Sequence, residues 1–364
     1  MEQSQPLIRT IDPASRIAPW RMFGRAGWII PSLITVSLIC NIMALTLPFL
    51  EIRQVLKQTV IYSLPHSVAL LFEHGLWLIA VLVLGFSIIF PLVKIGMLYA
   101  IWFAPMTMSR RIRIEHVLKY LGKWSMMDIF VVGVLLVLSN QQTFVGAELH
   151  MGVYFFIAAI MISMGTSEAV STMLDLRPEL AKLPNDFKIV VCPMKTFGPK
   201  AWIVPFILLL SLIALAYAIA HDFLKINQAL LNTRAYSILT ATKIMFLDKS
   251  IYGIGACFGL FLIVTPLLRI ATLAFTWFST STVRGYRRLL HISASLGRWS
   301  MLDVFGLALI LIMSEGKEFI KTDVQSGLYF MVLAIIINLV VTGVIHMVAY
   351  GDVTKTRKRT RKLL

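Results

Sequence analysis

The chain has 364 residues, of which 58% are hydrophobic and only 14% are charged, and its mean hydropathy is +0.81. A water-soluble domain is about 45–50% apolar and about 25% charged, so the composition argues against a soluble globular protein. The net charge is +16, and the three cysteines form no C-x-x-C spacing. We therefore predict no zinc site and no disulfide framework. No nucleophile–base pattern or phosphate-binding glycine loop is present, so we expect no catalytic residues, no metal and no cofactor.

Eight apolar segments predict transmembrane helices, because about 20 apolar residues cross a hydrocarbon core of about 30 Å. In chain order they are 28–50, 76–103, 125–140, 152–170, 202–221, 251–278, 300–314 and 328–349. The third and seventh are short, since a helix of about 16 residues is only about 24 Å long. We expect these two to be shielded by protein, to thin the bilayer locally or to line a polar cavity.

Positive charge alternates between the connecting segments. Of the 34 Lys and Arg residues, 24 lie in 1–27, 104–124, 171–201, 279–299 and 350–364. Because Lys/Arg-rich loops stay in the cytoplasm, both termini are predicted to be cytoplasmic. Residues 1–27 lack a cleavage site and read as a retained tail. We expect the basic segments to meet anionic lipids of the inner leaflet rather than nucleic acid.

An internal repeat organises the chain. Gly122-Lys123-Trp124-Ser125-Met126-Met127-Asp128-Ile129-Phe130 recurs 175 residues later as Gly297-Arg298-Trp299-Ser300-Met301-Leu302-Asp303-Val304-Phe305, with six of nine positions identical. Each copy contains four predicted spans, so both insert the same way up. The sequence thus predicts an all-α polytopic membrane protein with a first module (28–170) and a second module (202–349). A linker (171–201) joins them, and a basic tail (350–364) follows.

Charged residues at membrane depth are costly and point to functional sites. Lys94 lies about nine residues from the inner end of its span, roughly 13 Å deep at 1.5 Å per residue. Asp128 opens the next span, and Arg269 and Asp303 repeat this arrangement. Each pair could be a structural ion pair within its module, a polar cavity for a lipid headgroup, or a case of interfacial snorkelling.

Further candidates come from the same regions. The polar set is Lys94, Asp128, Ser125, Ser139, Asn140, Arg269, Asp303, Ser300 and Ser314. The motif set is Gly122, Trp124, Met126, Phe130, Gly297, Trp299, Met301 and Phe305. We interpret Trp124 and Trp299 as marking the inner membrane interface. Pro91 and Pro266 interrupt long spans, either as a packing bend or as an opening toward a cavity.

The outer segments 51–75 and 222–250 are too long for tight turns. Short amphipathic pieces within them are predicted at Val55–Tyr62, Ser67–Phe72 and Ile238–Leu247. They could form a docking surface for an extracytoplasmic partner or lie on the bilayer as interfacial helices.

The duplicated G-[KR]-W-S-M-x-D-[IV]-F motif, placed before the third span of each module, resembles the paraquat-inducible protein A (PqiA) family over about residues 24–349. The resemblance implies a bacterial inner-membrane protein that works beside an MCE-domain protein, whose hexameric rings form a tunnel across the periplasm. The implied role is to load or unload phospholipids or other lipids. Many members carry a cysteine-rich zinc ribbon before each module, which this chain lacks.

Two alternatives stay open at this point. The chain could be a secondary transporter of a small amphiphile, with ion coupling through Lys94 and Asp128, although parallel repeats argue mildly against this. It could also be a membrane scaffold without a transport role. The modules differ, since Lys94 becomes Arg269 and Asn140 becomes Glu315. We expect the first module to hold the substrate and the second to support it.

Overall fold

A computed structural model describes residues 18–54, 57–73, 75, 77–124, 126–139, 145–174, 190–191, 201–227, 233–247, 251–315 and 322–363. Contacts divide the chain into two compact units. The first unit comprises residues 1–49, 62–125 and 151–178, and the second comprises 50–61, 126–150 and 179–364. Each is described by itself.

The helices of the first module follow the predicted apolar segments. After a short helix α1 (Pro19–Met22) and a 3₁₀ turn (Gly24–Trp28), they are α2 (Ile29–Thr46), α3 (Leu64–Glu73), α4 (Trp77–Val83), α5 (Phe90–Phe103), α6 (Met108–Trp124), α7 (Met127–Ser139) and α8 (Met151–Met173). A π-helical turn (Leu84–Ile89) joins α4 to α5.

The second module repeats this order. Its helices are α9 (Ile203–Ala220), α10 (Ile238–Leu247), α11 (Tyr252–Phe258), α12 (Thr265–Phe278), α13 (Val283–Trp299), α14 (Leu302–Glu315) and α15 (Ser326–Leu363). A π-helical turn (Gly259–Val264) joins α11 to α12. The tandem architecture inferred from the motif is thus visible in the secondary structure.

Six helices in the described part of the chain are long and apolar enough to cross a membrane. They cover Ile29–Thr46, Ala80–Phe103, Met151–Met173, Ile203–Ala220, Tyr252–Phe278 and Ser326–Ile345. Large exposed aromatic residues stand at their ends, including Trp28 and Trp202 at one end and Trp77 and Tyr252 at the other. Such belts are typical of the membrane–water interface. The chain is a multi-pass membrane protein, and the side on which each terminus lies stays a prediction.

The other two predicted spans are helical but short. Helix α7 has 13 residues and α14 has 14, so each is only about 20 Å long at 1.5 Å per residue. A hydrocarbon core of about 30 Å exceeds that length. The prediction of eight spanning helices is therefore supported for six, and α7 and α14 lie packed against other helices of the second unit.

The all-α prediction needs a correction, because each module also carries a small antiparallel sheet. The first has strand order β2-β1-β3, from β1 (Leu50–Gln54), β2 (Lys57–Tyr62) and β3 (Val145–Leu149). The second has order β6-β5-β8, from β5 (Asp222–Asn227), β6 (Thr233–Ser237) and β8 (Thr322–Val324). A two-stranded pair, β4 (Val190–Val191) with β7 (Ser281–Thr282), joins the linker to the turn before α13.

The outer segments 51–75 and 222–250 contain strands of these sheets and short helices. The piece predicted at 55–62 is strand over 57–62, where Thr, Val, Ile and Tyr favour extended backbone. The pieces at 67–72 and 238–247 are helical, within α3 and as α10. In both modules the strand after the first span pairs with the strand before the fourth, in equivalent register: Leu50 opposite Leu149, and Leu224 opposite Val324.

Tight helix contacts position the ends of each module. In the first unit, Ser37 on α2 donates to the Ala159 carbonyl at 2.8 Å, and the Gly152 amide donates to the Pro48 carbonyl at 3.0 Å. A Cβ at Gly152 would lie 2.5 Å from that carbonyl oxygen. In the second unit, a Cβ added at the equivalent Gly327 would lie 2.5 Å from the His221 carbonyl oxygen and 2.6 Å from that of Asp222. Both glycines therefore permit backbone approach that a side chain would prevent.

At the opposite end of each module, a tryptophan side chain donates a hydrogen bond to a backbone carbonyl. Trp102 donates its indole N–H to the Gly27 carbonyl at 2.9 Å, and Trp277 donates to the Ala201 carbonyl at 3.2 Å. Both indoles are fully buried. We predict that Trp102→Phe lowers the free energy of unfolding by about 1–3 kcal/mol, because the buried carbonyl loses its donor. Thermal unfolding in detergent measures this, with the exposed Trp202→Phe as control; an equal loss in both variants would contradict the role of the bond.

Candidate functional site

The central feature of the first unit is a cation buried inside the membrane-spanning region. Lys94 on α5 is 1% exposed, and its ammonium donates to the Ser163 hydroxyl on α8 at 2.9 Å. Helix α6 turns back along α5, so that a Cβ at Gly122 would lie 3.5 Å from the Lys94 Nζ, an ordinary van der Waals distance. The motif glycine thus lies directly beside the lysine head.

The second unit repeats this arrangement with a larger cation. Arg269 on α12 donates through Nη2 to the Thr342 hydroxyl on α15 at 2.8 Å. A Cβ at Gly297 on α13 would lie 3.0 Å from the guanidinium carbon. The carboxylate of Asp303 is near enough to attract this guanidinium electrostatically. The basic residue and the motif glycine of the second module therefore lie side by side, as they do in the first.

Two buried polar atoms on α12 and α15 have no hydrogen-bond partner among the described residues. They are the Nε of Arg269 and the Oδ1 of Asn338, both fully buried. Asn338 occupies the position equivalent to Ser163, which binds the lysine directly in the first unit. Buried polar groups are nearly always hydrogen-bonded, so a donor and an acceptor remain for water or a ligand.

The two cation sites differ in access. Lys94 is fully buried, whereas Arg269 is only partly buried and Asp303 is exposed. Lys94 donates one of the three N–H groups of its ammonium to Ser163, and the Nε–H of Arg269 has no partner among the described residues. The geometry therefore favours the second module for ligand entry, although we expected the first from the sequence.

The segment 279–299 is not a simple surface loop. Its helix α13 runs back along α12, and Trp299 at its end stacks on Phe261 in the π-helical turn, with ring centroids 5.8 Å apart. The Met301 amide also donates to the Phe261 carbonyl, at 3.4 Å. Phe261 lies in the middle of its span, so Trp299 packs against that span, and its position at the membrane interface stays a prediction. The side chain of Trp124 lies outside what the structure describes.

The proline positions coincide with the π-helical turns. Pro91 and Pro266 are buried just after Leu84–Ile89 and Gly259–Val264. In the second module the Thr265 hydroxyl donates to the Leu260 carbonyl at 2.6 Å, where the wider turn changes the pattern of backbone bonds. π-Helical turns often occur at functional sites. In the second module, the π-helical turn places Phe261 beside Met301, which directly precedes the short helix α14.

An aromatic cluster gathers the motif phenylalanines inside the second unit. Phe130 contacts Phe305 at 5.7 Å and Phe258 at 5.3 Å between ring centroids, and Phe223 contacts Phe305 at 5.5 Å. Gly133 lets α7 approach α11, since a Cβ there would lie 2.5 Å from a Phe258 ring carbon. Helix α7 thus packs against helices of the second module.

The remaining candidates are placed as follows. Met126, Met301 and Ser300 are buried, and the Ser300 amide donates to the Leu296 carbonyl. Asp128, Ser139 and Ser314 lie on α7 and α14, but their side chains are outside what the structure describes. Ser125 and Asn140 lie outside the described residues altogether. The predicted approach of Asp128 to Lys94 therefore stays a prediction.

Sequence reasoning missed the hydrogen-bond partners Ser163 and Thr342, and it also missed the buried Asn338. Thr342 and Asn338 do not share a residue type with their counterparts in the first module, so identity at the 175-residue offset could not reveal them. The sequence did offer one signal: Ser163 and Asn338 are polar residues 175 positions apart, each within an apolar fourth span. In such helices hydroxyl and amide side chains commonly bond across to a neighbouring helix.

A family model described as paraquat-inducible protein A matches residues 30–174 and again residues 203–347. No curated protein and no solved structure matches the chain significantly. The two matched regions together cover most of the chain, and each contains one copy of the motif and one buried cation. The chain therefore belongs to the paraquat-inducible protein A family.

Proposed function

We propose that this protein is the membrane subunit of an MCE-type intermembrane lipid transport system in the bacterial inner membrane. It would pass lipids between that membrane and a periplasmic tunnel protein, which we expect to be hexameric. The observation that carries the proposal is the cation at membrane depth in each module, which bonds to a hydroxyl of the fourth spanning helix. A site of this kind suits the polar part of a lipid whose chains stay in the bilayer.

The second module is the better candidate for the site of lipid handling. Arg269 can contact a phosphate or carboxylate through its unused Nε–H, and Asn338 can accept a hydrogen bond from a hydroxyl. The Lys94 ammonium donates one of its three N–H groups to Ser163. In this proposal both cations take part in transfer, and Arg269 is the more exposed of the two.

An ion-coupled transporter of a small amphiphile is the runner-up. The attraction between Asp303 and Arg269 favours it, because a carboxylate beside a cation at membrane depth can exchange a proton or metal ion during transport. A dependence of uptake on an ion gradient in proteoliposomes would support this alternative. Gradient-independent transfer that requires an MCE protein would argue against it.

The direct test is co-purification with an MCE-domain protein encoded beside this chain. We expect a stable complex from which phospholipid can be extracted, and transfer of labelled phospholipid from proteoliposomes to that complex. Arg269→Gln removes the charge and shortens the side chain, and it should lower transfer at least about tenfold. The control is Arg110→Gln, which makes the same change at an exposed arginine on α6.

Failure to bind any MCE protein, together with absence of bound phospholipid, would overturn the proposal. If the complex forms but the Arg269→Gln variant transfers lipid as well as the unchanged protein, the proposed partner is supported and the proposed site is wrong. Thermal unfolding of each variant separates these outcomes from simple misfolding.

A further inference from the structure

Helices α6 and α13 each present a face that their packing leaves exposed. On α6 this face carries Arg113, His116 and Val117, which are three and four residues apart and so lie on one side of the helix. Its opposite side, with Arg111, Glu115 and Leu118, is buried in the first unit. The exposed face therefore has a defined composition.

The same three positions recur on α13. Arg288 and Ile292 are exposed there and His291 is partly exposed, at the 175-residue offset from the first set. Val117 and Ile292 are both 42% exposed. An identical order of arginine, histidine and aliphatic residue thus appears once in each unit. We call each set an Arg-His face: Arg113, His116 and Val117, and Arg288, His291 and Ile292.

The depth of this face follows from the helix pairing. Gly122 lies beside Lys94, and α5 and α6 run in opposite directions. Phe103 is nine residues beyond Lys94, and Arg113 is nine residues before Gly122, so equal rises of 1.5 Å bring Arg113 to the level of Phe103. The same counting in the second unit brings Arg288 to the level of Phe278.

That level is the membrane interface. Trp102, next to Phe103, bonds to the carbonyl of Gly27, which directly precedes Trp28. Trp28 is 60% exposed, and its counterpart Trp202 is 63% exposed beside the Ala201 carbonyl that accepts from Trp277. Exposed tryptophans at the ends of spanning helices lie at the depth of the lipid headgroups.

Each Arg-His face therefore descends from headgroup depth toward the acyl chains. A guanidinium stands at the aromatic belt, an imidazole lies about 4.5 Å deeper, and an exposed aliphatic side chain follows about 1.5 Å below it. This order matches a phospholipid, with a phosphate for the arginine and hydrocarbon beside the aliphatic residue. Neither a soluble phosphate nor an acidic protein segment would need the exposed aliphatic position.

We propose that the Arg-His faces, Arg113 with His116 and Arg288 with His291, bind the phosphate of anionic phospholipids at the membrane interface. The guanidinium binds phosphate oxygens in bidentate fashion, and the imidazole donates a further hydrogen bond. An anionic lipid is favoured because it lacks the headgroup cation that would oppose the arginine. The inference rests on the proposed function and deepens it by naming the lipid class that collects next to the buried cations.

The test measures lipid binding to the isolated full-length chain, so it does not depend on any partner. The delipidated protein is titrated with phosphatidylglycerol or with phosphatidylcholine of the same acyl chains, and bound lipids are counted by native mass spectrometry. We expect a preference for phosphatidylglycerol of about fivefold for each arginine near the surface. The double variant Arg113→Gln/Arg288→Gln should lose it, and Arg113→Lys/Arg288→Lys should keep part of it.

Arg110→Gln is the matched control, because Arg110 is an exposed arginine three residues earlier on α6. If it lowers the preference as much as Arg113→Gln, the effect is diffuse charge and the proposed sites are wrong. Displacement of phosphatidylglycerol by millimolar inorganic phosphate would identify a soluble anion site and equally overturn the proposal. Loss of the preference with MCE-dependent transfer of phosphatidylcholine intact would support the sites and leave the proposed function standing.

Discussion

Replacing Gly327 by alanine should lower the free energy of unfolding by about 3 kcal/mol, at the upper end of the cost of overpacking. The new Cβ would lie 2.5 Å from the His221 carbonyl oxygen and 2.6 Å from that of Asp222. Those two carbonyl oxygens cannot easily move away from the new Cβ. The His221 amide bonds to the Tyr217 carbonyl, and Asp222 begins the central strand β5 of the second sheet. Unfolding by SDS titration in mixed micelles measures the change.

The same helix offers a matched control. A Cβ added at Gly343 on α15 would meet nothing within 4 Å, so Gly343→Ala should be neutral or should stabilise by up to about 1 kcal/mol. In the first module, Gly152→Ala and Gly165→Ala on α8 form the equivalent pair, with the clash again only at the former. Equal effects at all four positions would show that helix propensity, rather than backbone contact, determines the result.

Lys94→Met should lower lipid transfer at least about tenfold while leaving the protein folded. Methionine has a similar length, and removal of a buried ammonium also removes its desolvation penalty, so stability should be unchanged or higher. If Lys94 only pins α5 to α8, transfer should persist, as a scaffold without a transport role requires. Transfer in proteoliposomes and thermal unfolding of the same preparation give the two readouts.

Ser163→Ala provides the contrasting variant. It keeps the lysine but removes the hydroxyl that accepts its hydrogen bond at 2.9 Å. Because the Lys94 ammonium loses this acceptor, the free energy of unfolding should fall by about 1–3 kcal/mol. Transfer per folded molecule should then fall less than with Lys94→Met. The opposite ranking would indicate that the serine, rather than the ammonium, is the important group.

The long apolar helices were predictable because hydropathy alone identifies a segment that must lie in lipid. Position 94 was also predictable, since one lysine in an apolar span stands out and its counterpart Arg269 repeats it. The short helices α7 and α14 were found as apolar segments, but apolar composition cannot distinguish contact with lipid from contact with protein. The aromatic contacts of Phe130 and Phe305 show the latter within the second unit.

Helices α6 and α13 were assigned to surface loops for a physical reason. Their basic residues give a low average hydropathy, but on α6 the exposed Arg113 lies opposite a buried side that includes Leu118. The strands were missed because segments of two to six residues carry too little periodicity, and β1 and β5 each also pair with a strand about 100 residues away. Such pairing is settled by tertiary contacts rather than by local preference.

The contact between Phe130 and Phe305 also bears on how such a chain could have arisen. These are the same residue of the motif in its two copies, 175 positions apart, and their rings meet 5.7 Å from centroid to centroid. A residue that touches its own counterpart is what a twofold axis produces in a homodimer. An ancestor with a single module would therefore have paired through its third helix, and gene fusion would have made that pairing permanent. The copies now differ at this site, since one has a lysine bonded to a serine and the other has an arginine bonded to a threonine.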